Sequence, residues 1–323
     1  DASNNLTAIT YPDNTSSNFT YDAAGQVLSE NDPEGNLLFA NTYDDQGRVI
    51  SQDDGISTNQ LSTLTYDDTT QPGFLITTIT DRTGNSRQYI HDSSYQLVEV
   101  IDELGNETTM TYDEDGNRRS ITDALGHTTT MTYDDRGNIL TITDDDSNTT
   151  TMTYDDRNNL LTVTNALNKT ISNTYDTDNR LLTISDPDNG VTSFTYDTSG
   201  LLLETESPRG GTTTYTYQNG LMTSKTDPTN KTTTFTYDAV GRLISTTNAA
   251  GKTSTITYDS KNNITGITDP LGNTMSFTYD GNGKVLTQTD ARNYITSYTY
   301  DANRNLSSIT DYNKKMLVFL SFH

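Results

Sequence analysis

The sequence contains no cysteine and no tryptophan, only three histidines and seven prolines, and 20 Lys plus Arg against 44 Asp plus Glu. Without thiols there is no disulfide framework, zinc ribbon or thiolate nucleophile. A formal charge of −24 opposes a nucleic-acid or anionic-lipid surface, so neither partner is expected. The longest all-apolar run, residues 316–320, is too short to span a bilayer, and no membrane insertion is expected. Leu, Ile, Val and Phe together number 61 of 323 residues, a scarcity that in an aperiodic chain accompanies disorder. What the chain has instead is 63 Thr and 20 Tyr, residue types that suit a pleated, half-buried strand.

The distribution of those tyrosines is periodic, which answers the disorder argument. Tyr stands at 21, 43, 66, 112, 133, 154, 175, 196, 217, 237, 258, 279 and 300 (Tyr21, Tyr43, Tyr66, Tyr112, Tyr133, Tyr154, Tyr175, Tyr196, Tyr217, Tyr237, Tyr258, Tyr279, Tyr300), followed by Asp in every case except Gln218. From Tyr112 onward the step is 21, with a single step of 20 between Tyr217 and Tyr237. His91 fills the gap between Tyr66 and Tyr112 and brings the anchors to fourteen. Counting each anchor as position 0, the template is aromatic or Met at −2, Asp at +1, Gly or Asn at +4, Leu, Ile or Val at +6, Ile or Val at +9, Asp or Asn at +11, Gly or Asn at +14, then a Thr-rich run.

A period of this length marks a repeat architecture. Positions −2 and 0 share parity, so pairs such as Phe277 and Tyr279 point to one face of a strand while the intervening Thr face the other way. Asp-x-x-Gly reads as a tight turn in which Asp caps its own backbone and Gly or Asn supplies positive φ, and +11 to +14 (residues 269–272) reads as a second turn. Positions +6 and +9 have opposite parity, which calls for a bulge or a sharp twist in the second strand if both are to face the interior. The expected fold is all-β: antiparallel hairpins, about 21 residues and two strands per repeat, coiled into a spiral shell or tube. About 28 strands spaced ~4.8 Å apart would make a sheet edge about 130 Å long, too wide to stay flat. A solid two-sheet sandwich is the alternative.

The stretches Tyr133-Asp134-Asp135-Arg136-Gly137-Asn138-Ile139 and Tyr237-Asp238-Ala239-Val240-Gly241-Arg242-Leu243 resemble the tyrosine-aspartate (YD) repeat of the RHS family, and the resemblance covers essentially the whole chain. That family includes polymorphic toxins, wall-associated proteins, insecticidal toxin-complex components and teneurins. The resemblance implies a spiralling β-sheet shell, which in several members encloses a C-terminal cargo. No RHS core-associated segment or recognisable toxin accompanies it. Residues 1–315 are expected to form one continuous array whose two ends cut into a repeat, and 316–323 a diverged or terminal segment. The lack of a signal peptide or initiator Met fits a mature or excised piece.

Carboxylates at +1 and +11 line up along the array, and calcium is the one cofactor they could hold. The weak candidates are Asp113, Asp115, Asp144 and Asp146, weighed against turn caps with solvated charge. Nine Asn-x-Ser/Thr sequons occur, at Asn5, Asn14, Asn18, Asn106, Asn148, Asn168, Asn230, Asn263 and Asn305. With 31 Asn and 89 Ser plus Thr roughly 8.5 are expected by chance, so the count shows no enrichment for glycosylation. No catalytic motif is present, and no enzyme is expected. The expected role is structural and extracellular or at the cell surface, as a shell or as a filament assembled end to end by strand addition. Binding of glycans or a partner cell, and a carrier shell for a toxin outside this segment, are the alternatives.

Overall fold

The computed structural model describes residues 1, 3–11, 15–33, 35–53, 55, 61–300, 306–313 and 316–318. These contain thirty β-strands and no helix. In every pairing described, a strand is antiparallel to the strand before or after it in sequence, the meander expected of consecutive hairpins. Two compact units are formed: Asp1–Thr65 with Thr78–Ser86 and Thr236–His323, and Tyr66–Thr77 with Arg87–Phe235.

The repeat anchored on Tyr133 shows the local logic. Its first strand, Thr128–Tyr133, alternates exposed Thr130 and Thr132 with buried Met131 and half-buried Tyr133. The chain then turns at Asp134, whose N–H donates to the Asn138 carbonyl while the Gly137 N–H returns to the Asp134 carbonyl. Gly137 has φ 81°, the left-handed conformation this turn requires and that glycine adopts without a Cβ penalty. In the next two repeats Asn158 and Asn179 take the same place at φ 66° and 63°. The second strand, Ile139–Thr143, pairs as Tyr133 with Ile139, then Thr132 with Thr141 and Met131 with Ile142.

Leu140 is therefore the extra residue of a β-bulge, and it brings positions +6 and +9 onto the face of the Tyr and the Met. The bulge expected from parity is present, at the same place in repeat after repeat. The second turn repeats the first, with Asp144 N–H to Asn148 carbonyl and Ser147 N–H to Asp144 carbonyl.

Departures from 21 residues have local causes. In the Tyr217 repeat the first turn shrinks to a two-residue hairpin, Asn219-Gly220, with both residues at positive φ (52° and 79°) and Gln218 paired to Leu221. That accounts for the step of 20. Around Thr69 to Pro72 the four extra residues form a bulging loop in which Asp67 accepts from the Thr69 and Thr70 N–H groups. The two residues added between Tyr43 and Tyr66 fall largely outside the described residues. Met316–Val318 pairs with Leu306–Thr310 in the register that Ile139–Thr143 and Val285–Thr289 use with the strands after them, so the sheet continues through those three residues; 319–323 lie outside the description.

Packing is thin. Among the described residues the only fully buried hydrophobic side chains are Ile90, Met110 and Met131, the last two at position −2. Ile90 precedes the anchor slot of His91 and lies on the reverse face, which is therefore not solvated everywhere. A filled sandwich core is absent from this pattern, and each strand is stabilised mainly by its neighbours in the sheet.

Candidate functional site

The tyrosines are the first candidates, and most of the anchor hydroxyls described share one kind of acceptor, although Tyr154 turns to Met152 Sδ instead. Tyr258 donates to the Leu243 carbonyl at 2.9 Å, Tyr279 to Ile264 at 2.7 Å, Tyr300 to Val285 at 2.9 Å, Tyr196 to Leu181 at 2.9 Å and Tyr112 to Leu97 at 2.8 Å. In each case the acceptor is the +6 residue of the preceding repeat, fifteen residues back. The ring buries its body on the sheet face while the hydroxyl clasps the previous hairpin where the bulge begins. Burial, with the charge of Asp259 behind it, raises the Tyr279 phenol above its ordinary range, and burial does the same first at Tyr154 and Tyr300, which keeps these groups protonated.

At the slot of His91 the imidazole stands where a phenol would, and its buried Nδ1 has no hydrogen-bond partner.

The turn aspartates are the second. Asp134 Oδ1 accepts from the Arg136 and Asn138 N–H groups and Oδ2 from the Asn138 side chain. The Asn138 side-chain hydrogen bond, then its backbone N–H, hold this carboxyl below the usual range. Position +5 links adjacent repeats. Asn138 reaches Asn158 Oδ1 at 2.9 Å, and where Arg stands there the link is longer. Arg242 Nε binds Asp238 at 2.7 Å, its guanidinium donates to the Asp259 carbonyl of the next repeat at 3.1 Å, and it lies 4.8 Å over the Tyr258 ring.

The calcium candidates sit in these turns. Asp113 accepts from the Asp115 and Asn117 N–H groups and the Asn117 side chain; Asp144 accepts from the Asn148 N–H and side chain. Asp115 and Asp146 occupy exposed tips of the same turns. Among the described residues no three His, Asp or Glu side chains converge as metal ligands.

The reverse face carries hydroxyl ladders that propensity alone does not foretell. Thr132 bonds Thr141 at 2.7 Å, Thr153 bonds Thr162 at 2.6 Å and Thr278 bonds Thr287 at 2.6 Å across each hairpin. A second row joins hairpins, with Thr143 to Thr149 and Thr164 to Thr170. These pairs explain why Thr, rather than another β-branched residue, dominates the strands.

The sequons divide by what their amides do. Asn5, Asn106, Asn148 and Asn263 donate their side-chain N–H to the turn Asp four residues before, and Asn18 to the Ser16 carbonyl. Asn168 and Asn230 are exposed at the left-handed position of second turns. Asn14 and Asn305 lie outside the described residues.

One contact in the first compact unit joins residues far apart in sequence. Asp32, in a second turn and 1% exposed, accepts from the Asn282 side chain at 3.3 Å across 250 residues, while Asn36 caps the same carboxylate through its N–H and side chain. The ribbon thus meets itself within that unit, as a sheet too wide to stay flat must.

This geometry defines an all-β array of hairpin repeats, most of those described clasped to the one before by a tyrosine hydroxyl. The RHS Repeat family matches over residues 1–37, 96–128, 112–149, 133–170, 175–212, 196–232, 218–253, 237–274, 258–292 and 279–312, and the chain belongs to that family. Solved structures with the same fold include TcdB2-TccC3 in complex with Cdc42 and TcdB2-TccC3 alone, each at TM-score 0.77 and 17% identity over 94% of this chain. The Photorhabdus luminescens Tc holotoxin pore is similar over 96% of this chain at TM-score 0.74 and 17% identity. The chain spans 19% of the length of each of these proteins. No curated protein sequence matches.

Proposed function

We propose that this chain is a structural wall segment of a YD-repeat β-shell that works outside the cell, by enclosing or spacing rather than by catalysis. The observation that carries the reading is the use of its polar groups. The tyrosine hydroxyls, turn carboxylates and threonine hydroxyls, which would be the working parts of a catalytic or metal site, are engaged in closing each hairpin and in joining one hairpin to the next. A second reading is the wall of a toxin-carrying shell. It is favoured by the fold shared with structures of Tc toxin components, of which this chain covers about a fifth.

Electron microscopy of the purified chain tests the proposal. Discrete hollow or ring-like particles are expected. Long continuous tubes would replace the wall by a filament built through strand addition, and dispersed monomers that bind a glycan array would replace it by an adhesion module.

A further inference from the structure

The contact between Asp32 and Asn282 closes one side of a cavity of about 470 Å³ in the first compact unit. That volume is within the range of small-molecule sites. One wall comes from the N-terminal hairpins and carries Tyr11, Glu30 and Pro33; the other comes from two later first turns and carries Asn262, Asn282 and Lys284.

Most charges at this junction are already committed. The Asp32 carboxylate is occupied by Asn36 and Asn282, and the Lys261 ammonium donates to the Gly281 carbonyl at 2.6 Å. Two are held less firmly. Glu30 and Lys284 both line the cavity, both are half-buried, and neither side chain makes a hydrogen bond or ion pair among the described residues; Lys284 Nζ has only a cation–π contact, 5.6 Å from the Tyr300 ring centroid.

Opposite charges on facing walls of a partly desolvated cleft attract strongly when close. Here no ion pair joins them. The space between them suits a ligand that brings one positive and one negative group of its own, with the Asn262 and Asn282 side chains supplying neutral donors and acceptors along its length.

We propose that this cavity binds a small zwitterion of the α-amino acid or dipeptide class, its ammonium on Glu30 and its carboxylate on Lys284. The charge pattern sets the selectivity. A neutral polyol of equal size would leave both charges unmatched, and a simple anion or cation would meet one partner and one repulsive group.

Isothermal titration calorimetry on the whole chain tests this with L-alanyl-L-alanine, the twenty free amino acids, and N-acetyl-alanyl-alaninamide, in which both charges are blocked. The unblocked dipeptide or at least one amino acid is expected to bind with 1:1 stoichiometry, and the blocked form at least tenfold more weakly. Glu30→Gln and Lys284→Met are each expected to weaken binding about tenfold, the scale of losing one partner of a half-buried charge pair. Their circular dichroism should stay strand-like, which separates loss of ligand from loss of fold. Equal binding of blocked and unblocked dipeptide, or no heat from any of these probes, overturns the proposal. The comparison of ligands needs only the wild-type chain, so an unfolded variant leaves the test intact.

Discussion

The Tyr258 hydroxyl reaches back fifteen residues to donate to the carbonyl of Leu243, the residue that opens the second strand of the preceding repeat. One phenol thereby does two jobs, covering the sheet face with its ring and holding adjacent repeats at a fixed spacing with its oxygen. This is the physical reason for tyrosine, and not phenylalanine, at position 0.

Removing only the oxygen isolates the second job. Tyr258→Phe is expected to lower stability by about 1–2 kcal/mol, the cost of leaving a half-buried carbonyl without its donor. Urea titration followed by circular dichroism measures it, and an unchanged midpoint would show the clasp to be incidental.

His91 offers the converse experiment. Its Nδ1 is buried without a partner in a slot built for a phenol, whose hydroxyl at the usual spacing would reach the carbonyl of Ile76. His91→Tyr is expected to stabilise the chain by about 1 kcal/mol through the restored hydrogen bond. A lower melting temperature in this variant would mean that the local backbone has adapted to the imidazole.

Gly266 interrupts the threonine ladder. It faces Thr257, whose hydroxyl has turned to Thr265 instead, and a Cβ at Gly266 would approach the rotatable Thr257 Oγ1 at 2.8 Å. Gly266→Thr is expected to stabilise by about 0.5–1.5 kcal/mol, combining the lower chain entropy of a β-branched residue with a restored cross-strand pair. Scanning calorimetry reads this directly, and destabilisation would show that Thr257 cannot rotate away.

The turn carboxylates predict an acid limit. The Thr83 hydroxyl first, then the Asn85 N–H, lower the Asp81 carboxyl from 3.8 to about 2. A carboxyl whose folded pKa is depressed contributes stability above its unfolded value and loses it as pH falls through the folded one. The contribution of these carboxylates should therefore be level above about pH 4 and decline from there toward pH 2. His127 acts in the opposite sense, since its hydrogen bond to Asp123 raises its pKa from 6.5. Its contribution is complete below 6.5 and fades as pH rises past the elevated value. His127→Asn, which installs the residue that caps Asp102 from Asn106 and Asp269 from Asn273, should remove that neutral-pH step and keep the acid one. Urea midpoints from pH 9 to pH 2 distinguish the two.

Much of this was readable from residue spacing. The 21-residue step located the hairpins, the Asp-x-x-Gly and +11 to +14 segments located both turns, and the clash of parity between +6 and +9 located the bulge. The Asn219-Gly220 dipeptide was an overlooked signal: its preference for a two-residue hairpin explains the short step. The roles of the phenol oxygen, of Arg or Asn at +5 and of the paired threonine hydroxyls were hidden, because each depends on what lies one repeat away in space. The meeting of Asp32 with Asn282 was hidden more deeply. Both belong to ordinary turn motifs, and nothing in either motif indicates a partner 250 residues distant.

Since nearly all the clasps described here reach no further than the adjacent hairpin, energetic influence should decay within a repeat or two of any lesion. Such a ribbon tolerates local injury by fraying beside it while remote hairpins persist, and it melts segmentally. A wall made this way can lengthen or shorten during evolution by whole hairpins, each duplication arriving with its own fastenings to the one before.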